Sequence, residues 1–196
     1  DRTIGRLIFG LKARGLFERV NILLVSDHGM AKTSPDSIIF LDDIIDMDLI
    51  KIIDGTPVAA IQPLGDLDSI YNILKNSNSA MNVYKKGEAP ERLHYNNHRR
   101  IQPLTLSAKE HWSISTNDYF IEDDHAQRFS GATHGYDPKY VSMRGILLAH
   151  GPAFKKNFNG PGLSNIHLYE MMCKILGIYP ANNDGKIDST AIFLKN

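Results

Sequence analysis

Two short stretches of the sequence carry side chains suited to catalysis. The first is Asp27-His28-Gly29-Met30, one residue beyond the apolar run Ile22–Val25. The second is Gly131-Ala132-Thr133-His134-Gly135-Tyr136-Asp137-Pro138, where a histidine sits in a glycine-flanked loop ahead of another apolar run. Carboxylate with imidazole is the ligand chemistry of a catalytic zinc site. Adjacent strand residues point to opposite faces, so Asp27 and His28 reach one metal only if the chain turns there, and Gly29 supplies the freedom to turn. Each motif alone also reads as a structural histidine, since Asp-His-Gly makes a good turn. Of the eight histidines, His28 and His134 are the two in such settings. His94, His98, His111, His125, His150 and His167 read as surface or half-buried residues.

The elements that must position these residues are legible as patterns. Ile4, Leu7, Ile8 and Leu11 recur at helical spacing, which predicts an amphipathic helix with Gly15 as its stop. Asn21–Ser26 and Gly145–His150 are short continuous apolar runs of the kind found in strands buried on both faces of a parallel sheet. Helix, short loop and buried strand together are the grammar of an α/β fold. Ligands gather beyond the carboxyl ends of strands in open α/β sheets, so Asp27 and His28 stand where chemistry belongs. By the same rule His150 ends a strand on the functional side. A further helix over Ser164–Leu176, capped by Ser164 or Asn165, has Ile166, Tyr169, Cys173 and Leu176 as its stripe and stops at Gly177. Between these parts, residues 55–120 read as a mixed α+β insertion, with β-prone pieces at Val58–Ile61, Met81–Tyr84, Ile101–Leu106 and Trp112–Ser115 and a helix near Leu67–Leu74. The expected division is thus 1–54 with 121–196, interrupted by 55–120. Acid-rich Asp36–Asp54 reads as a solvated face. Trp112 reads as an anchor of the insertion's core, and His94 and Tyr95 as packing residues with a cleft-rim role as the alternative.

Composition narrows the function classes. The chain has 196 residues, 42% of them hydrophobic, and 22 basic against 22 acidic side chains. This length suits one domain with a small insertion. No basic arm or tail exists, so no nucleic-acid-binding surface is indicated. The apolar runs are too short to span a bilayer. The single cysteine, Cys173, excludes a disulfide framework and a cysteine-rich zinc module within these residues.

Several motifs coincide in order: Val25-Ser26-Asp27-His28-Gly29-Met30, Asp54-Gly55-Thr56-Pro57-Val58-Ala59, Arg92-Leu93-His94-Tyr95, Arg100-Ile101-Gln102-Pro103-Leu104, His134-Gly135-Tyr136-Asp137, Met143 through Lys155, and Tyr169-Glu170-Met171-Met172-Cys173. In these the chain resembles the ectonucleotide pyrophosphatase/phosphodiesterase family of the alkaline phosphatase superfamily. The resemblance implies an α/β fold with a mostly parallel sheet flanked by helices. It also implies a two-zinc hydrolase of nucleotide phosphodiester or pyrophosphate bonds, with Asp27 and His28 on one zinc, His134 on the other, and a phosphothreonine intermediate. The family also hosts phospholipid and choline phosphodiesterases, and a non-catalytic binding relative is the rival class. Asp137 and Tyr136 follow the ligand histidine. Asp137 reads as a hydrogen-bond acceptor that orients a ligand histidine or, equally, as a turn carboxylate.

The family's nucleophilic threonine, two further metal-binding aspartates and another histidine all precede its Ser-Asp-His-Gly-Met motif, and residues 1–20 cannot supply them. The resemblance therefore implies the C-terminal part of the catalytic domain, with the nucleophile upstream of Asp1. Two ligands on one zinc and one on the other predict weak zinc affinity and no useful activity from this stretch alone. The implied partner is a small-molecule phosphodiester. An extracellular or cell-surface location, with any membrane anchor outside these residues, follows from the resemblance alone. Any disulfide partner of Cys173 would also lie outside them.

Overall fold

The computed structural model describes residues 1–122 and 125–195, without the side chains of His125 and Ala126. In chain order the elements are α1 (Arg2–Ala13), β1 (Ile22–Val25), β2 (Ala31–Thr33), β3 (Ile38–Phe40), β4 (Ile50–Asp54) and β5 (Val58–Pro63). Then come α2 (Leu67–Lys75), β6 (Met81–Lys85), β7 (Leu104–Ala108), β8 (Ser113–Ser115), α3 (Asn117–Ile121) and α4 (His125–Arg128). The last are β9 (Gly131–Thr133), β10 (Leu147–His150) and α5 (Leu168–Leu176). They fall into two compact units, residues 1–27 with 145–196, and residues 28–144. No described helix is long and apolar enough to cross a membrane.

In the first unit, α1 forms where its apolar spacing predicts and turns out at Gly15, with the Leu16 N–H donating back to the Leu11 carbonyl at 2.9 Å. Its stripe is only half covered, and Leu7 stays exposed. The two apolar runs do become strands, but β1 and β10 pair antiparallel, Ile22 opposite His150 and Val25 opposite Leu147. They are not buried on both faces, since Val25 and Leu148 are 49% and 60% exposed. A two-stranded ladder cannot cover both its own faces. The antiparallel register also corrects the reading of His150. It lies beside Ile22, at the end of β1 remote from Asp27, where its ring stacks on Phe17 at 4.0 Å.

The second long helix starts later than predicted. Residues 165–167 form a 3-10 turn, Ser164 makes no side-chain cap, and α5 proper begins at Leu168. Its buried residues are Met171 and Cys173, while Leu176 is 70% exposed. Gly177 closes it in the left-handed region.

The second unit is built on a four-stranded antiparallel sheet in the order β4-β5-β7-β6. Ala59, Ile61, Leu104 and Leu106 of its two inner strands are fully buried. The helix α2 lies over this sheet through Ile70 and Leu74 and begins at Asp66, whose carboxylate accepts the Ser69 N–H at 2.9 Å. The expected strand at 101–106 is displaced to Leu104–Ala108, because Pro103 has no N–H to give a ladder. Trp112 is partly buried against the core, as its reading predicts. By contrast, His94 and Tyr95 are exposed. The stretch from Asp36 to Asp54 is not simply a solvated face: its apolar members Ile39, Leu41, Ile45 and Ile50 are buried in the same core as the sheet. The acid side chains face outward or cap, as when Asp42 accepts the Asn117 N–H at 2.8 Å. Through Ile38–Phe40 this stretch also makes the parallel pairing in the molecule's described ladders, with β8.

One further two-stranded ladder lies in this unit. Strands β2 and β9 pair antiparallel, with Ala31 opposite Thr133 and Thr33 opposite Gly131.

Candidate metal centre

Antiparallel pairing of Ala31 with Thr133 dictates what meets at that end of the ladder. The residues just before β2 and the residue just after β9 must leave side by side. These are His28 to Met30 and His134. Their imidazoles stack, with ring centroids 3.7 Å apart and planes within 14°. Two histidines more than a hundred residues apart in the chain thereby become neighbours. Asp27 precedes His28 directly and ends the first unit.

The His28 side of the pair is held by backbone. Its Nδ1 lies 2.8 Å from the Gly29 carbonyl. A carbonyl only accepts, so Nδ1 carries the proton and Nε2 the lone pair, the arrangement a metal-ligating imidazole needs. Gly29 itself donates its N–H to the Met143 carbonyl at 3.0 Å. A Cβ at this position would overlap the Ser142 carbonyl and come within 2.9 Å of the Arg144 carbonyl oxygen. Glycine is therefore required by close backbone approach.

The His134 side is held by the residues that follow it. Gly135 has φ of +102°, and the Pro57 ring lies 3.3 Å from where its Cβ would be. Tyr136 is buried and its hydroxyl donates to the Trp112 carbonyl at 2.9 Å. Burial pushes its phenol up to about 12. Asp137 receives both guanidinium nitrogens of Arg92 at 2.6 Å each. The Lys139 N–H donates to the same carboxylate at 3.0 Å. Burial would raise the Asp137 carboxyl, but the hydrogen bonds from Arg92 and Lys139, with their charges, outweigh it and hold the group below the ordinary carboxylate range. The same contact raises Arg92. Tyr136 and Asp137 thus make contacts that anchor the histidine's loop, and Arg92 is a residue that the sequence reading missed.

The donor types fit zinc, with Asp27 and His28 contiguous and His134 beside His28. Among the described residues no group of three or more histidines, cysteines, aspartates or glutamates could hold a metal ion.

Residues 1–137 match the model of the family described as type I phosphodiesterase / nucleotide pyrophosphatase, and the chain belongs to that family. Among its relatives, bis(5'-adenosyl)-triphosphatase enpp4 of Xenopus laevis is 40% identical over all of this chain and 42% of its own length. Human ectonucleotide pyrophosphatase/phosphodiesterase family member 5 is 40% identical over 94% of this chain and 38% of its own length. The solved structure of human ectonucleotide pyrophosphatase/phosphodiesterase 5 superposes with a TM-score of 0.90 at 37% identity, covering 100% of this chain and 50% of that one. A murine counterpart, an inactive variant in complex with AMP, superposes at 0.89. The fold is the mixed α/β, alkaline-phosphatase-like one of these neighbours. The chain spans about 40% of the length of the curated relatives it matches.

Proposed function

We propose that these residues are the C-terminal part of a two-zinc hydrolase of nucleotide phosphodiester or pyrophosphate bonds. Asp27 and His28 would hold one zinc and His134 the other. The observation that carries this reading is the face-to-face placement of His28 and His134 at one end of the β2–β9 ladder, in a chain of the phosphodiesterase family. When bound, paired metals stabilise the attacking and leaving oxygens of an in-line displacement at phosphorus. The chain's own residues supply position: the Gly29 carbonyl fixes the His28 tautomer, and the anchored 134–137 loop fixes the second imidazole. The nucleophile in this reading is a threonine outside residues 1–196, forming a phosphothreonine that water hydrolyses.

A nucleotide substrate draws support from the AMP complex of the murine relative, more than does a phospholipid or choline ester. Relatives named as ectonucleotide and venom phosphodiesterases support an extracellular or cell-surface location.

Zinc titration of the purified chain by calorimetry, with Asp27→Ala, His28→Ala and His134→Ala alongside, tests the reading. The expected result is weak binding that each substitution lowers further, with no turnover of a chromogenic thymidine phosphodiester. Zinc binding indifferent to all three substitutions would refute the metal assignment.

A further inference from the structure

We infer that Arg92, acting through Asp137, is the positioning residue for His134, an inference that rests on the reading of His134 as a metal ligand. The two-pronged contact, both oxygens to both terminal nitrogens at 2.6 Å, fixes orientation as well as distance, which a lysine cannot do. Asp137 is three residues beyond His134, and its side chain is only 10% exposed, against 47% for Arg92. Gly135, between them, occupies a backbone region that side chains avoid. The Pro57 ring lies 3.3 Å from where a Cβ at this position would stand. Tyr136 is held at the Trp112 carbonyl and the Lys139 N–H caps the Asp137 carboxylate locally, while the Arg92 fork ties the far end of the loop to a segment distant in the chain. Lys139 gives the same carboxylate a looser charge contact at 3.7 Å, too long to replace the fork.

Arg92 belongs to a short 3-10 turn over Glu91–Leu93, between β6 and β7. A residue carried by the connection between two strands of the large sheet therefore sets the attitude of an imidazole at the end of a different ladder. It acts through Asp137 and touches no reacting atom.

The test compares wild type, Arg92→Ala, Arg92→Lys and, as a control, Lys85→Ala, which breaks the exposed Lys85–Asp68 pair elsewhere in the same unit. Two readouts are needed: the nuclear Overhauser contact between the His28 and His134 rings without metal, and affinity for zinc alone. In Arg92→Ala the ring contact disappears and zinc affinity falls about 10- to 100-fold, the size of effect usual for residues that orient a ligand. Arg92→Lys retains part of both, and Lys85→Ala retains all of both. Should Arg92→Ala not fold, a weakened ring contact in Arg92→Lys with unchanged circular dichroism carries the proposal. Arg92 variants that keep the ring contact and bind zinc within twofold of wild type overturn it. Because the ring contact needs no zinc, a wild-type chain that binds no zinc would sink the hydrolase reading while leaving this role standing.

Discussion

Replacing Gly29 by alanine is a sharp probe of the site's construction, because a single methyl has nowhere to go. It would overlap the Ser142 carbonyl oxygen and stand 2.9 Å from that of Arg144. Neither neighbour is a flexible side-chain tip, so backbone must move. Forcing a methyl into packed surroundings costs about 1–3 kcal/mol. Moving the backbone also strains the Gly29 N–H bond to the Met143 carbonyl, which adds about 1 kcal/mol if it is lost. The expected penalty is about 2–4 kcal/mol, a large part of the roughly 5–15 kcal/mol by which domains are stable. Urea denaturation followed by fluorescence and by circular dichroism measures it. The internal comparison is Gly5→Ala on α1, where nothing lies within 4 Å of the added carbon. There the same chemical change stabilises by up to about 1 kcal/mol, because alanine is the better helix former. A Gly29→Ala protein within about 0.5 kcal/mol of wild type, below the range of overpacked sites, would refute the claim that close backbone approach fixes this residue.

Two further outcomes follow from contacts away from the imidazoles. Asp66→Ala removes the cap that accepts the Ser69 N–H and lowers stability by about 1 kcal/mol, measured by the same urea series. Asp137 carries a pH signature. Its folded-state carboxyl lies below the ordinary carboxylate range, so its stabilisation is complete above about pH 4 and is lost as pH falls through the folded value. The urea midpoint therefore drops on acidification below about pH 4, and Asp137→Asn makes that part of the pH curve flatter.

Composition and periodicity reached the elements more easily than their partners. The apolar runs at 22–25 and 147–150 are strands, yet an apolar run carries no mark of direction, and the antiparallel pairing moved His150 to the far end of β1. Residues 36–54 read as solvated because their aspartates dominate the composition, although Ile39, Leu41, Ile45 and Ile50 point the other way into the core. Pro103 was a legible reason to start β7 at Leu104 rather than at Ile101, and the β-prone run before it obscured that. At the site, His28 and His134 were identifiable from residue type and glycine neighbours. What brings them together was not, because β2 and β9 are three residues each and include Gly131, too short for any periodic pattern. The Arg92–Asp137 fork was equally hidden, since nothing local marks a pair separated by 45 positions.

The brevity of that β2–β9 ribbon has a consequence of its own. Side chains in a strand alternate with a period of two, so a slip of one rung would send one imidazole to the opposite face. Three rungs leave no margin for such an error. Exposed connections between Thr33 and Gly131, other than those that carry Pro57, Arg92 and Trp112 against the 134–137 loop, can be lengthened with little effect on how the two rings meet, whereas one inserted residue within either strand would part them.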